Sequence, residues 1–494
     1  MKAPLPLFPF ILLMLYCCGE EESSNKDTTN LSLTILSPES QSIVQDDVIL
    51  QCETNNDDLV LKIELWIDGD STEICDYVAP FELTWNTINY DNGNHELFIR
   101  MYDENGNKYD SETIILKVNN FLIYSKTYGL ENISEIGSSI LQLEDSSFVI
   151  LGSEENNVLL LKTNRYGQIE WNQSFGGDDY SDIATHFQNT SDGGYILSGT
   201  TISYGYGGSD IWLIKMNQNG MMEWNTTFGS AGDEIGGQVI ETIDGGYLVI
   251  GNIDTQENGA NNIWLIKTNS QGDSLWTRKY GGSEFDQGTD IILDDDNGYV
   301  ILGSTKSFGN GASDIWIIKA DSSGNQEWTN TYGNGGNDFG QSILKTYDGG
   351  YIVRYIIESF GDGNTAVGLL KINQNGQEIW TKTIGGSIGT PGNSFYRISD
   401  DEYIMACSLF DNGENSYNAY IIKISDSGDI LWDRTFGGNE DDRARSILQT
   451  KDGGYIIVGS TNNLGNGDKN NSDLWIIKTN SEGHTINFNY SMHD

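Results

Sequence analysis

Short apolar runs of strand length follow one another along the chain after residue 30. Each is closed by a turn rich in Gly, Asn and Asp, and no segment shows a helical period. From residue 121 the runs recur at a fixed distance. The turn Asp192-Gly193-Gly194-Tyr195 returns with its tyrosine at Tyr247, Tyr351 and Tyr455, and degenerate forms stand at Tyr299 and Tyr403, so that these tyrosines are 52 residues apart. Phe148 holds the same place 47 residues before Tyr195, which makes seven units. A second landmark, Ile211-Trp212-Leu213-Ile214-Lys215, recurs with its lysine at Lys162, Lys267, Lys319, Lys371, Lys423 and Lys478. A third starts at Trp171, Trp224, Trp276, Trp328, Trp380 and Trp432, with Tyr124 in the corresponding place at the front.

Each unit holds four strand-length runs, and a unit of about 40–50 residues with four strands is the signature of a propeller blade. Seven blades in a ring leave no long sheet edge unpaired. The turns at 269–272 and 348–350 read as hairpins, so the stretch between an outer tryptophan strand and the next acidic residue is the crossing between blades. On this phase a front strand at about 122–128 completes the seventh blade, while the tail at 484–490 competes for the same slot. The motif set resembles the "D-G-G-Y … D-x-W-x-x-K" propeller repeats of secreted and lipidated Bacteroidetes proteins over residues 121–494. That resemblance implies architecture and location more than activity.

Residues 31–119 have the strand grammar of a small sandwich, with runs at 48–52, 61–67 and 97–101 closed by turns such as Asp68-Gly69-Asp70 and Glu104-Asn105-Gly106. The pair Trp66-Ile67-Asp68-Gly69 and Pro80-Phe81 through Trp85 resembles bacterial immunoglobulin-like modules, which implies a spacer role. Cys52 and Cys75 are placed either to form a disulfide or to stand as two buried thiols. The fold class expected is therefore all-β: a small immunoglobulin-like β-sandwich at 31–119, then a seven-bladed β-propeller at 120–494.

The start of the chain has a different character. Residues 1–17 carry Lys2 and then an apolar run too short to span a bilayer as a permanent helix, which reads as a signal peptide. Leu15-Tyr16-Cys17-Cys18 resembles a lipobox, which implies lipid attachment at Cys18. The acidic tether at 18–30, opening Gly19-Glu20-Glu21-Glu22, resembles a lipoprotein surface-export signal. Together they imply an outer-membrane, lipid-anchored protein facing outside the cell, touching the membrane through its anchor alone.

Composition narrows the function. The 494 residues carry 72 acidic against 27 basic side chains, a formal charge of −45, which makes nucleic acid a poor partner. A hydrophobic content of 37% with 12 tryptophans rules out global disorder. Four histidines and five cysteines leave little material for metal centres. No nucleophile elbow, zinc-binding histidine pair or phosphate loop is present, so no catalytic residue is assigned.

Identical positions in every blade are explained by the need to build every blade, so a site is sought where the repeat breaks. An acid thirteen residues before each tyrosine (Glu135, Asp182, Glu234, Asp286, Asp338, Asp442, with Thr390 the exception) either caps its own crossing turn or forms an oxygen ring of the kind Ca²⁺ takes. The repeat lysines are expected along a blade edge. The Gly- and Asn-rich loops at 203–210, 307–314 and 463–473 vary from blade to blade, as a binding face would. Blades five and six depart most from the pattern: Arg354 and Tyr355 replace a small or apolar residue and a glycine, Gly368 replaces the tryptophan, Thr390-Pro391 replaces the acid, and Cys407 replaces another glycine. Five of the eight arginines fall between Arg354 and Arg445. Arg354, Tyr355, Arg397, Arg443 and Arg445 are therefore the candidate ligand-binding residues, suited to an anionic glycan or an acidic peptide. The function expected is binding of a polysaccharide, surface glycan or cell-surface protein, with no resident cofactor. A polysaccharide-degrading propeller enzyme and a structural scaffold are the alternatives.

Overall fold

The computed structural model describes residues 31–485 except 88–89, 91, 130–132, 178–180, 255–259, 359–365, 385–393, 412, 463 and 465–470. The signal peptide, tether, Cys18, Thr390, Pro391 and most of the tail at 484–490 lie outside the described residues.

The chain divides between Asn120 and Phe121 into two compact units. The first is a two-sheet sandwich. Strands Leu33–Ser37, Asp47–Thr54 and Phe81–Asn86 form one sheet, and the other is built around Val60–Ile67 and Gly93–Asp103. Strict alternation along Asp47–Thr54 and Phe81–Asn86 turns Val48, Leu50, Leu83 and Trp85 inward, onto Ile63, Leu65, Leu97 and Ile99. Cys52 is buried and Cys75 only partly so; both are free thiols.

The second unit is a ring of seven four-stranded antiparallel sheets. The first strands of the blades are Glu135–Gln142, Ile183–Asn189, Glu234–Glu241, Asp286–Leu293, Asp338–Lys345, Phe395–Arg397 and Asp442–Gln449. Neighbouring first strands touch all the way round, the first blade against the seventh included. Sheet seven is completed by the front strand Tyr124–Tyr128, antiparallel to Asp473–Thr479, with Tyr124 opposite Lys478. The Trp475 indole N–H donates to Ser125 Oγ at 2.8 Å across that closure.

The core is split into seven layers, one at each blade junction. The middle strands face a layer on each side, which is why Asp210–Met216, Asp314–Ala320 and Asp473–Thr479 are buried along their whole length. Outer-strand tryptophans lock one blade to the next. Trp171, Trp224, Trp276, Trp328, Trp380 and Trp432 each lie under a hairpin glycine of the following blade, where an added Cβ would come to 2.6–2.9 Å from the ring. Those glycines also hold left-handed φ angles near +75°, so the position needs glycine twice over. Tyr124 takes the tryptophan's place beneath Gly167, the same role its sequence position suggests.

The repeat lysines do not lie along an exposed edge. Lys215, Lys267, Lys371 and Lys478 are buried, and each pairs with the aspartate of its own Asp-Gly-Gly-Tyr turn: Lys215 with Asp192 at 2.9 Å, Lys267 with Asp244 at 2.9 Å, Lys371 with Asp348 at 3.2 Å and Lys478 with Asp452 at 2.9 Å. Two landmarks of the repeat are thus the two ends of one ion pair.

Candidate functional site

In six first strands the ladder slips at one place, between Gly137 and Ser139, Ala184 and His186, Gly236 and Val239, Gly288 and Asp290, Gly340 and Ser342, and Ala444 and Ser446. A bulge of this kind bends the strand and re-aims its side chains. Around the propeller axis these segments enclose a cavity of about 530 Å³, to which all seven blades contribute.

Seven positions in register line its wall: Ser139, His186, Gln238, Asp290, Ser342, Ser394 and Ser446. Several accept from a backbone N–H of the next blade. His186 Nδ1 accepts from Val239 at 3.4 Å, Gln238 Oε1 from Ile291 at 2.6 Å, Asp290 Oδ2 from Ile343 at 2.8 Å and Ser394 Oγ from Ile447 at 3.0 Å. The ring therefore joins the blades, while its chemistry changes from blade to blade. Nothing in blade-building requires Ser, His, Gln and Asp at one and the same repeat position.

Two of these groups have displaced acidities. Asp290 is pushed up to about 6 by burial, against the opposing effect of N–H donors from Ile343 and Ile291, the Ser342 hydroxyl and the Arg354 guanidinium. His186 is pushed down to about 4 by burial, so it is neutral at pH 7, and its accepting Nδ1 leaves the proton on Nε2. Asp290 binds its proton more tightly folded than unfolded, so its contribution to stability is full below about pH 4 and is lost as pH rises through about 6. His186 binds its proton more tightly unfolded, so its contribution is full above about 6.5 and is lost as pH falls towards 4. The two oppose each other across the shared window. Asp290→Asn is expected to gain melting temperature relative to wild type as pH rises from 4 to 7, and His186→Gln to gain as pH falls over the same range. Thermal melts of the three proteins at pH 4–8 check both signs.

The five sequence-predicted residues do not come together. Arg354 is fully buried on the face of its strand that also carries Ile352, towards blade six, and its charge senses Cys407 of that blade and Asp290 of blade four. Tyr355 is buried in the layer between blades four and five. Its direct cross-strand partner is Gly368, whereas the other blades pair Gly199 with Trp212, Gly251 with Trp264, Gly303 with Trp316 and Gly459 with Trp475. Blade five has exchanged the aromatic and the glycine between neighbouring strands, and the departure is one of packing. In blade six Cys407 stands in the glycine's place opposite Tyr420, so there the aromatic stays on the third strand. Arg397 is exposed at the far end of its strand and donates to the Lys345 carbonyl at 3.4 Å. Arg443 pairs with Asp441 at 3.1 Å and lies 4.0 Å over the Tyr417 ring. Of the five, Arg445 alone lines the cavity.

The acids thirteen residues before each tyrosine build the crossings. Asp182 accepts from Gly177 N–H at 2.9 Å, Glu234 from Ser230 at 2.9 Å, Asp286 from Gly282 at 2.7 Å, Asp338 from Asn334 at 2.8 Å and Asp442 from Gly438 at 2.8 Å. Among the described residues no group of three His, Cys, Asp or Glu is placed to hold a metal ion. The loops at 203–210 and 307–314 are pinned by their own aspartates: Asp210 accepts from Tyr206 N–H and Asp314 from Asn310 N–H, each at 2.8 Å. Tyr206 is left exposed.

Residues 32–99 match the bacterial Ig domain family. That match lies within the first unit and ends before the propeller begins. No curated protein matches the chain. Among solved structures, virginiamycin B lyase from Staphylococcus aureus is similar at 14% identity over 72% of this chain and 99% of its own, with a TM-score of 0.44. A puromycin hydrolase is similar at 11% identity over 66% of this chain and 50% of its own, TM-score 0.43. The fibronectin(III)-like modules of CbhA from Clostridium thermocellum are similar at 19% identity over 18% of this chain and 94% of theirs, TM-score 0.14. The propeller itself rests on the strand pairing described above, and the Ig domain on its family match and its two sheets.

The wall residues are ordinary polar types, so residue type alone does not single them out in the sequence. The signal that finds them is a repeat position filled differently in successive blades: 139, 186, 238, 290, 342, 394 and 446 follow the repeat spacing of 47 and then 52.

Proposed function

We propose that the protein is a lipid-anchored binding module of the outer membrane, acylated at Cys18 and facing outside the cell. Its Ig domain serves as a spacer, and its propeller holds part of a glycan in the central cavity. The observation that carries this reading is the ring of in-register but chemically different polar side chains around about 530 Å³, a volume in the range of small-ligand sites. Hydroxyls of Ser138, Thr185, Thr289 and Ser342 and the amides of Gln287 and Gln341 line the same space, with Phe339 and Phe395 as apolar faces. Such a lining matches the hydroxyls and the C–H faces of a sugar.

Binding is favoured over hydrolysis by the carboxylates. Glycoside cleavage uses two, roughly 5–10 Å apart, and Asp290 is the single carboxylate among the described residues lining the cavity. Both of its oxygens are held by the wall, Oδ1 by Ile291 N–H at 2.8 Å and Oδ2 by Ile343 N–H and Ser342. The test is incubation of the mature protein with a panel of neutral and anionic polysaccharides, following polymer retention and release of reducing ends together. Retention of intact polymer is the expected result. Release of reducing ends makes the protein an enzyme, and neither response turns the search to surface proteins as partners.

A further inference from the structure

Arg445 sits at the bulge of its strand, where the other described blades carry Ser138, Thr185, Gly237, Thr289 and Gln341. A neutral or absent side chain has been replaced there by a permanent cation that lines the cavity. Its Nε is buried and has no hydrogen-bond acceptor among the described residues. Burial, with Arg443 nearby, lowers its proton affinity, yet a guanidinium stays charged in any protein. Arg443 has Asp441 at 3.1 Å, and Asp290 has three donors of its own and the field of Arg354. A guanidinium taken out of water without a counter-charge is unfavourable, and a planar fork is satisfied best by a carboxylate.

We propose that Arg445 is the specificity residue of the cavity, and that the sugar it admits carries a carboxylate of the uronic-acid type. This deepens the glycan reading and rests on it. The hydroxyl- and amide-bearing wall takes the sugar ring, and Arg445 takes the acid through a two-bond fork. An acidic peptide would supply the same carboxylate but would leave the wall donors facing aliphatic or backbone groups, so the sugar is the better fit.

The probes are digalacturonic acid, its neutral counterpart galactobiose, and hexaglutamate, each titrated calorimetrically into the full chain. Wild type is expected to bind digalacturonate about tenfold tighter than galactobiose, the order of one charge-assisted contact. Arg445→Gln is expected to abolish that preference and leave galactobiose affinity within about twofold. Arg445→Lys, which keeps the charge and loses the fork, should fall between, and it keeps the test open if the glutamine variant fails to fold. Arg443→Gln should leave the preference intact. Galactobiose binding with no preference for the acid, or a preference that survives Arg445→Gln, overturns this inference and leaves the glycan reading standing. Binding of hexaglutamate alone, or of no probe, overturns both.

Discussion

Deleting residues 121–129 is expected to open the propeller and to produce the largest loss of stability of any change of similar size. Without Tyr124–Tyr128, the strand Asp473–Thr479 becomes a free sheet edge and Tyr124, Leu122 and Tyr128 no longer cover the layer formed by Leu474, Ile476, Ile456 and Ile140. Removing one buried aromatic and uncovering several aliphatic side chains amounts to about 4 kcal/mol or more at the usual coefficient for apolar burial. The exposed edge adds a template for association between molecules. Calorimetry should show a lower propeller transition while the transition of the Ig domain stays in place, and size exclusion should show oligomers. A synthetic peptide spanning 121–130, added in excess, should restore the transition by re-adding the strand. An unchanged melt would mean that this pairing is not what closes the ring.

A second large effect is expected at the exchanged pair of blade five. A Cβ at Gly368 would fall within the ring of Tyr355, whose side chain is buried. Gly368→Trp, which restores the residue of the other blades, is therefore expected to destabilise by about 3 kcal/mol, the upper end of ordinary overpacking. Combining it with Tyr355→Gly recreates the glycine–tryptophan pairing of blades two, three, four and seven. The double variant should recover most of the loss, a coupling of about 2 kcal/mol in a double-mutant cycle read by chemical denaturation. Additive losses would show that Tyr355 is retained for some purpose other than filling that layer.

These two sites also mark how far the sequence can be read. The spacing of Tyr195 to Tyr455, the lysine landmark and the outer tryptophans were enough for seven blades, for the hairpin phase and for the front strand, because each is a local pattern repeated. Pairing across blades is another matter. That Lys215 reaches back to Asp192, or that Gly220 rests on Trp171, follows from the twist of the sheets and the closing of the ring, and neither appears in the order of residues. Arg354 and Tyr355 looked like a site because a broken repeat resembles a functional exception. The compensating Gly368 stands thirteen residues away and becomes a partner only when the strands are paired. Conversely, His186, Gln238 and Asp290 were hidden by being ordinary polar residues, and only their shared distance from the repeat tyrosines places them on one wall. Arg445 was legible in the sequence as part of an arginine cluster, but its separation from Arg397 and Arg443 was not.

The central claim is that ligand is held inside the ring and not on the outer loops. Retention of the full chain on the polysaccharide panel, compared with Thr289→Trp and Tyr206→Ala, tests it most directly. Thr289 lines the cavity, where an indole would fill much of the space, while Tyr206 is exposed on the 203–210 loop. Wild type and Tyr206→Ala are expected to be retained alike, and Thr289→Trp, with its propeller transition intact, is expected not to be retained. Retention of Thr289→Trp at the wild-type level, or its loss in Tyr206→Ala, would contradict it and move the binding face to the loops.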